Sequence, residues 1–583
     1  MNFRNQAVSL SLFLAVTIGT LAAPSAEAGL PIFPGINMSV RFTDTLKSIY
    51  SLDAKEQKRL FNLKNAKGES IFHGAQMQKD LWATLDPATD QVEGTSTEKL
   101  YGNFKIPESE NEIIVAVIDS GVDINHEDLK GHMWINLPEF YGKPGVNDDG
   151  DGYIDDIYGW NFLGNKDGTN VGASTFEVTR IYAKLKAEQA AGQILNATDT
   201  ALFNEVSLDY TNELADATKG LARYEDFDAA IKLLKANGLK DETLAGLSAV
   251  TSVDPTVLKA IQLAKIVYTH KLTSADITDG LTHFNTEMNY NLNLSFNPSD
   301  IIKDDPNNLT EKGYGNGDVI GPDASHGTHV AGIIGALRNN FGINGQASNV
   351  KIMPIRAIPD GDERDKDVAN AVRFAVDHGA RVINMSFGKA YSPNKPLVDE
   401  AMKYAEASGV LLVHAAGNDN LDTSTQAHNF PNRKIEVTAD TTRDIQTWLE
   451  VGASSRTKGV TLPADFSNYS KTAVDLFAPG VDIVSTIPGN QYASYSGTSM
   501  ASPETAGVAA LLLERYPFAT AIETKNAIMN STNQYAGLSC DLPGTAANDD
   551  GTPPTMVNFS NLSITGGTLN AYQAMLQMEK LGY

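Results

Sequence analysis

The chain has 583 residues, 42% of them hydrophobic, enough for a large core and for more than one folding unit. A formal charge of −25 argues against nucleic acid and anionic membrane surfaces as partners, while supplying carboxylates for cations. Cys540 is the one cysteine, so no intrachain disulfide can form and stability must come from packing or from metal.

Arg4 precedes the apolar stretch AVSLSLFLAVTIGTLAA, and a small-residue site follows, ending AEA at Ala28. This is the pattern of a cleaved export signal over residues 1–28, which implies a secreted or periplasmic protein. As a membrane anchor the run is short and ends in small residues and proline, and no later segment is long and apolar enough to span a bilayer. IIVAVI (113–118) is the kind of short apolar run that forms a buried parallel strand, with Asp119 at its end. Between about 170 and 300 the period turns helical, in TRIYAKLKAEQAAGQIL, YEDFDAAIKLLKANG and DPTVLKAIQLAKIVYTHKL. In the last of these Val257, Ile261, Ala264 and Tyr268 share a face, and Asp254-Pro255 supplies a start signal. Residues 170–300 therefore form a helical insertion, not a linker. KIMPIRAI (351–358) is a second strand, and KDVANAVRFAVDHG a helix with Asp367 as N-cap and Gly379 as stop. The strand VINMSF, the helix LVDEAMKYAEASG and the strand VLLVHAAGN follow. This alternation predicts an α/β fold with a doubly wound, mostly parallel sheet, whose working residues lie at the carboxyl ends of strands.

Four strand or helix ends carry chemistry: Asp119 in VIDSGVD, His326 in HGTHVAG, Asn418 in HAAGN and Ser499 in GTSMASPETAG. Singly, each has a plain structural reading: turn residue, helix cap, turn former, and an N-cap with Pro503 and Glu504 in the first turn. Together on one sheet they assign roles. A serine hydroxyl attacks only when a base takes its proton, and neutral imidazole does this near pH 7. A carboxylate on the other ring nitrogen fixes the tautomer. The oxyanion needs preorganised donors, which the Asn418 amide and the Ser499 N–H supply.

These stretches resemble the subtilisin-like serine peptidases, the subtilase family, over residues 95–170 and 300–580, and the order Asp119, His326, Ser499 is the family's order. The resemblance implies a serine endopeptidase acting on protein or peptide substrates as a monomer, with no membrane anchor. In it Asp119 orients, His326 is base and then acid, Ser499 is the nucleophile and Asn418 the oxyanion donor. INMSFG is similar to the family's substrate edge, so the backbone of Ser386, Phe387 and Gly388 is expected to pair with an extended peptide. Ala415, Ala416 and Gly417 are expected to wall the pocket for the side chain before the scissile bond. The catalytic domain is then 81–169 and 301–583, and residues 29–80 are available as a short pro-segment. The 207 residues from Asp119 to His326 exceed a minimal subtilase's spacing because of the insertion. A narrow processing peptidase gated by that insertion is the alternative reading, and a non-catalytic subtilase-like binding module is a further one.

Calcium is the expected metal. The resemblance assigns one site to Asp128 and Asn339 with the carbonyls of Leu337, Phe341 and Ile343. The acidic stretch NDDGDGYIDD (147–156) places Asn147, Asp149 and Asp151 at calcium-loop positions one, three and five, but Tyr158 stands at position twelve. It reads equally as half of a calcium loop and as a solvated acidic turn. Hard oxygen donors without a cysteine cluster argue against zinc.

Overall fold

The structure is a computed structural model that describes residues 81–106, 112–339, 341–424, 429–438, 441–546 and 553–582. The expected export signal (1–28) and pro-segment (29–80) lie outside the described residues. A sheet is built of β1 (Ile113–Asp119), β2 (Trp160–Asn161), β3 (Val350–Arg356), β4 (Val382–Met385), β5 (Leu411–Ala415), β6 (Trp448–Ser454), β7 (Leu476–Pro479), β8 (Asn533–Gln534) and β9 (Gly567–Thr568), its central strands being short, mostly apolar runs that are buried on both faces. Their spatial order is β8-β9-β7-β6-β5-β4-β1-β3-β2. Every neighbouring pair is parallel except β8 with β9.

The period of two along β1 divides the core. Val115 and Val117 face one apolar layer, Ala116 and Ile118 the other. β1 lies between β3 and β4, paired from Ile113↔Val350 to Asp119↔Arg356 on one side and from Val115↔Val382 to Ile118↔Met385 on the other. The chain crosses over β1 between those two strands, so the winding direction reverses there. A reversal of this kind opens a crevice beyond the carboxyl ends of the strands.

The long helices, in chain order, are α1 (Glu177–Ala190), α2 (Ala197–Ala236), α3 (Pro255–Thr269), α4 (Ser274–Thr286), α5 (Ser325–Gly335), α6 (Asp365–Asp377), α7 (Lys395–Ala407) and α8 (Thr498–Arg515). The first four pack around an apolar cluster of their own, with Val206, Phe227, Leu234, Ala264 and Phe284 inside. Asp254 caps α3, accepting from Thr256 N at 2.7 Å. On α3 the buried face differs slightly from the expected one: Ala260 and Val267 are buried beside Val257, Ala264 and Tyr268, while Ile261 is half-buried.

Asp367 does not cap α6. The helix opens two residues earlier, after Arg364, and the Asp367 carboxylate is buried against the Arg364 guanidinium at 2.7 Å and the Tyr314 hydroxyl at 2.7 Å. A fully buried carboxylate needs a charged partner more than a single backbone N–H. Gly379 follows the helix as expected, its N–H bonding to Val376 O.

Candidate active site

β1 ends on Asp119, whose carbonyl accepts from Ala357 N and Ile358 N as the chain leaves β3. Its carboxylate is 2% exposed, accepts from Ser120 N at 2.7 Å and faces His326 Nδ1 at 2.7 Å. An ionised carboxylate can only accept, so Nδ1 carries the hydrogen and Nε2 presents a lone pair. Nε2 is buried and has no hydrogen-bond partner among the described residues. His326 is the second residue of α5, and Gly327 after it has to be small. A Cβ there would lie 2.1 Å from Gly121 O and 3.1 Å from Asp119 Cβ.

Ser499 sits at the second position of α8, with Gly497 as the capping residue. Ser499 is therefore not the N-cap, and Pro503 and Glu504 fall in the second turn, not the first. A proline inside a helix has no N–H for the carbonyl four residues back, here that of Ser499. The hydroxyl of Ser386 fills the gap, donating to Ser499 O at 2.9 Å. Ser386 is itself held by Asn384 Nδ2 at 2.9 Å, and Asn384 Oδ1 accepts from Ser502 at 2.8 Å. The Ser499 hydroxyl donates to Ser386 O at 3.3 Å. A turn about its χ1 bond frees it for another acceptor.

Asn418 follows β5. Its Oδ1 accepts from Thr498 N at 2.8 Å and from the Thr498 hydroxyl at 2.9 Å, which fixes the amide with Nδ2 as the outward donor. Nδ2 and Ser499 N each lie 3.6 Å from the point where Gly497 would carry a Cβ. Two N–H donors thus border one small space beside the serine.

The segment after β4 alternates in its bonding. Phe387 O accepts from His414 Nε2 at 2.9 Å on the inner side, and Phe387 itself is buried in the core. Ser386 O has another partner, accepting from the Ser499 hydroxyl at 3.3 Å. Among the three residues expected to wall the pocket, Ala416 packs into an apolar cluster with Leu462, Val474 and Phe477, while Ala415 and Gly417 flank it at the end of β5.

Asp128 is buried. Its Oδ2 accepts from Ile343 N at 2.9 Å and from Tyr492 OH at 3.1 Å, its backbone oxygen accepts from Leu337 N at 2.9 Å, and Oδ1 has no hydrogen-bond partner among the described residues. Burial pushes its pKa up to about 7. Asn339 Oδ1 accepts from Phe341 N at 2.9 Å in the same loop. In the acidic loop, Asn147 Oδ1 turns onto Gly150 N, and Asp151 Oδ1 onto Tyr153 N. Asp149 lies in reach of a common ion with Asp151 and His378, and also with Glu139 and Asp156. Asp156 is fully buried; among the described residues its Oδ2 accepts no hydrogen bond and faces His378 Nε2 at 3.4 Å.

Sequence reasoning missed Thr498, Glu139, Asp156 and His378. Thr498 was legible as the middle of GTS, although only the fold shows that it holds the Asn418 amide. His378 comes from the end of α6, distant in sequence, and Glu139 from a short helix just before the acidic loop; neither carried a local signal.

Fold and site together define a class: an α/β protein with a serine, a histidine and an aspartate grouped at the carboxyl edge of its parallel sheet. Residues 110–555 match the Subtilase family (Peptidase_S8), and the chain belongs to that family. Similar proteins include a thermophilic serine proteinase of Bacillus sp. (strain AK1), 40% identical over 215 residues, which are 36% of this chain and 48% of that protein. Alkaline elastase YaB of Bacillus sp. (strain YaB) is 36% identical over 37% of this chain and 51% of its own. Subtilisin DY of Bacillus licheniformis is 35% identical over 35% of this chain and 69% of its own. The chain thus spans about half the length of the first two relatives.

Proposed function

We propose that this protein is an exported, calcium-stabilised serine endopeptidase. The observation that carries the reading is the Asp119–His326 pair at 2.7 Å, with Nε2 buried and without a hydrogen-bond partner among the described residues, together with Ser499 at the start of a helix, its hydroxyl on Ser386 O just past β4, the strand paired with β1. In the reaction Ser499 Oγ gives its proton to His326 Nε2 and attacks the peptide carbonyl carbon. Asp119 stabilises the imidazolium through Nδ1–H. The carbonyl oxygen, now an oxyanion, accepts from Asn418 Nδ2 and Ser499 N, which are already in place and need no reorganisation. Nε2–H then protonates the departing amine as the carbon–nitrogen bond breaks. Water, deprotonated by the same nitrogen, cleaves the acyl-serine ester and restores the enzyme.

The substrate lies antiparallel along the edge Ser386–Gly388, with the residue before the scissile bond opposite Ser386 and the third opposite Gly388. Ala415, Ala416 and Gly417 border the first side-chain pocket. Calcium fits the donor sets. Asp128, whose buried Oδ1 lacks a partner, holds one ion with Asn339 and the carbonyls of Leu337, Phe341 and Ile343. Asp149 and Asp151, with Asn147 and the buried Asp156, hold a second. Each ion neutralises carboxylates that burial otherwise penalises. The export reading rests on the sequence pattern of residues 1–28, and the likeness to subtilisins supports the peptide-bond reading.

Hydrolysis of denatured casein by the purified protein, beside Ser499→Ala, tests the function. Activity in the wild type alone is the expected result. Equal activity in a folded Ser499→Ala variant would overturn it.

A further inference from the structure

The two chain segments that leave β3 and β4 stand on either side of Asp119, two strand positions apart. That is about 10 Å, room for one extended peptide. On the β4 side the edge runs through Ser386 and Gly388 to Lys389. On the β3 side it is formed by residues 360–363. Beyond Gly388 the two sides are joined. Lys389 Nζ crosses the gap and donates to Glu363 O at 2.8 Å, while pairing with Glu177 at 2.7 Å and Asp365 at 2.8 Å. Its side chain is 2% exposed. Burial opposes its charge, but the facing Glu177 and Asp365 carboxylates outweigh that and raise its pKa.

Glu177 is the first residue of α1, so the partner that holds the lysine comes from the helical insertion. The insertion also occupies the far wall. Arg180 donates to Asp362 O at 3.1 Å and to Glu363 O at 3.1 Å, and Ser174 N donates to Asp360 O at 2.8 Å. Gly361 has φ +133, and a Cβ there would lie 2.3 Å from Ser174 O, so the insertion approaches as closely as backbone allows. Past the lysine, Tyr391 OH bonds to Glu205 and Asp209 on α2.

We propose that Lys389, held by Glu177, which Arg180 pairs in turn at the root of the helical insertion, ends the acyl side of the cleft after three residues. This rests on the peptidase reading above. A fourth substrate residue lies opposite Lys389 and meets a buried ion pair where an open cleft would offer a pocket. Displacing that lysine would leave Glu177 and Asp365 buried without it, which is costly. The insertion thus acts as a stop at the non-primed end of the cleft, and its first helix sets the length of peptide the enzyme reads.

The test uses the wild-type protein and N-acetylated peptides with two, three, four and five residues before one chromogenic leaving group, the fourth and fifth being apolar. The expected result is that kcat/KM rises to the third residue and then changes by less than about twofold. A gain of about tenfold or more at the fourth residue, the low end of what an occupied apolar subsite contributes, overturns the inference and leaves the peptidase reading intact. In Lys389→Ala the ratio of four-residue to three-residue kcat/KM should rise by about tenfold, the low end of the same subsite range. This ratio is insensitive to a general loss of active enzyme, and an unchanged ratio in the folded variant counts against the stop. Absence of hydrolysis at every length contradicts the peptidase reading itself and the inference with it.

Discussion

Ser386 and Ser499 are bonded reciprocally: the hydroxyl of Ser386 donates to Ser499 O at 2.9 Å, and the hydroxyl of Ser499 donates to Ser386 O at 3.3 Å. The first bond exists because Pro503 leaves the Ser499 carbonyl without its helical partner. Ser386→Ala should therefore lower stability by about 1–3 kcal/mol, the cost of one buried unsatisfied carbonyl. It should also lower kcat by loosening the first turn of α8. Chemical denaturation and steady-state kinetics on one peptide substrate check both. A neutral effect on both would mean that water or a relaxed backbone serves the carbonyl equally well.

Thr498 makes a separate prediction about the oxyanion site. Its N–H and hydroxyl orient the Asn418 amide, and the hydroxyl also accepts from Gly417 N at 3.1 Å. Asn418→Ala should reduce kcat on the order of 10²–10³-fold with little change in KM, because the donor acts on the transition state alone. Thr498→Val should give a smaller loss of the same kind. A loss confined to KM would assign Asn418 to ground-state binding.

Glu504 carries a pH prediction. It is fully buried, and burial pushes its pKa up to about 8, opposed only by its hydrogen bond from Gln346. In the unfolded chain the same group releases its proton near about 4.3. Between these values the folded state holds a proton that the unfolded state has lost, so stability falls as pH rises, by roughly 1.4 kcal/mol per unit. The contribution is complete below the lower value and gone once pH passes the higher. Glu504→Gln removes this slope, so its melting temperature should decline less than the wild type's between about pH 5 and about pH 8. Parallel profiles would show that Glu504 ionises in the folded protein near its ordinary range.

Calcium should stabilise the folded chain. A ligand present at a hundredfold excess over Kd contributes about 2.7 kcal/mol per site, so a chelator should lower the melting temperature by several degrees. Asp128→Asn keeps an acceptor for Ile343 N and Tyr492 OH but removes the charge, and should shrink that response. If chelation leaves the wild-type melting temperature unchanged, Asp128 and the acidic loop are not calcium sites.

The centre of the sheet, β1, β3, β4 and β5, was legible because these strands are short apolar runs buried on both faces, and Asp119 and Asn418 stand at or just past the ends of two of them; β2, β8 and β9 are two residues long and carry no such pattern. The chemistry was legible for the same reason: a serine, a histidine and an aspartate at strand exits and helix entries of a parallel sheet point to one crevice. What failed was register within helices. Asp367 has a cap's composition and place, yet its burial beside Arg364 decided its role. Pro503 and Glu504 suggested a helix start, but α8 begins at Thr498 because Ser386 can satisfy the carbonyl that the proline abandons. Lys389 looked like an ordinary residue after the substrate edge. Its partner Glu177 lies 212 residues away in sequence, beyond what local pattern can show.

Labelling of Ser499 by a fluorophosphonate probe tests the central claim most directly, because the probe reacts with a serine only when a base and an oxyanion site activate it. The account predicts labelling of the wild type, none of Ser499→Ala, and labelling slowed on the order of 10⁴-fold in Asp119→Asn, where the imidazole is held in the wrong tautomer. Undiminished labelling of Ser499→Ala, or none of a folded and unblocked wild type, would contradict it.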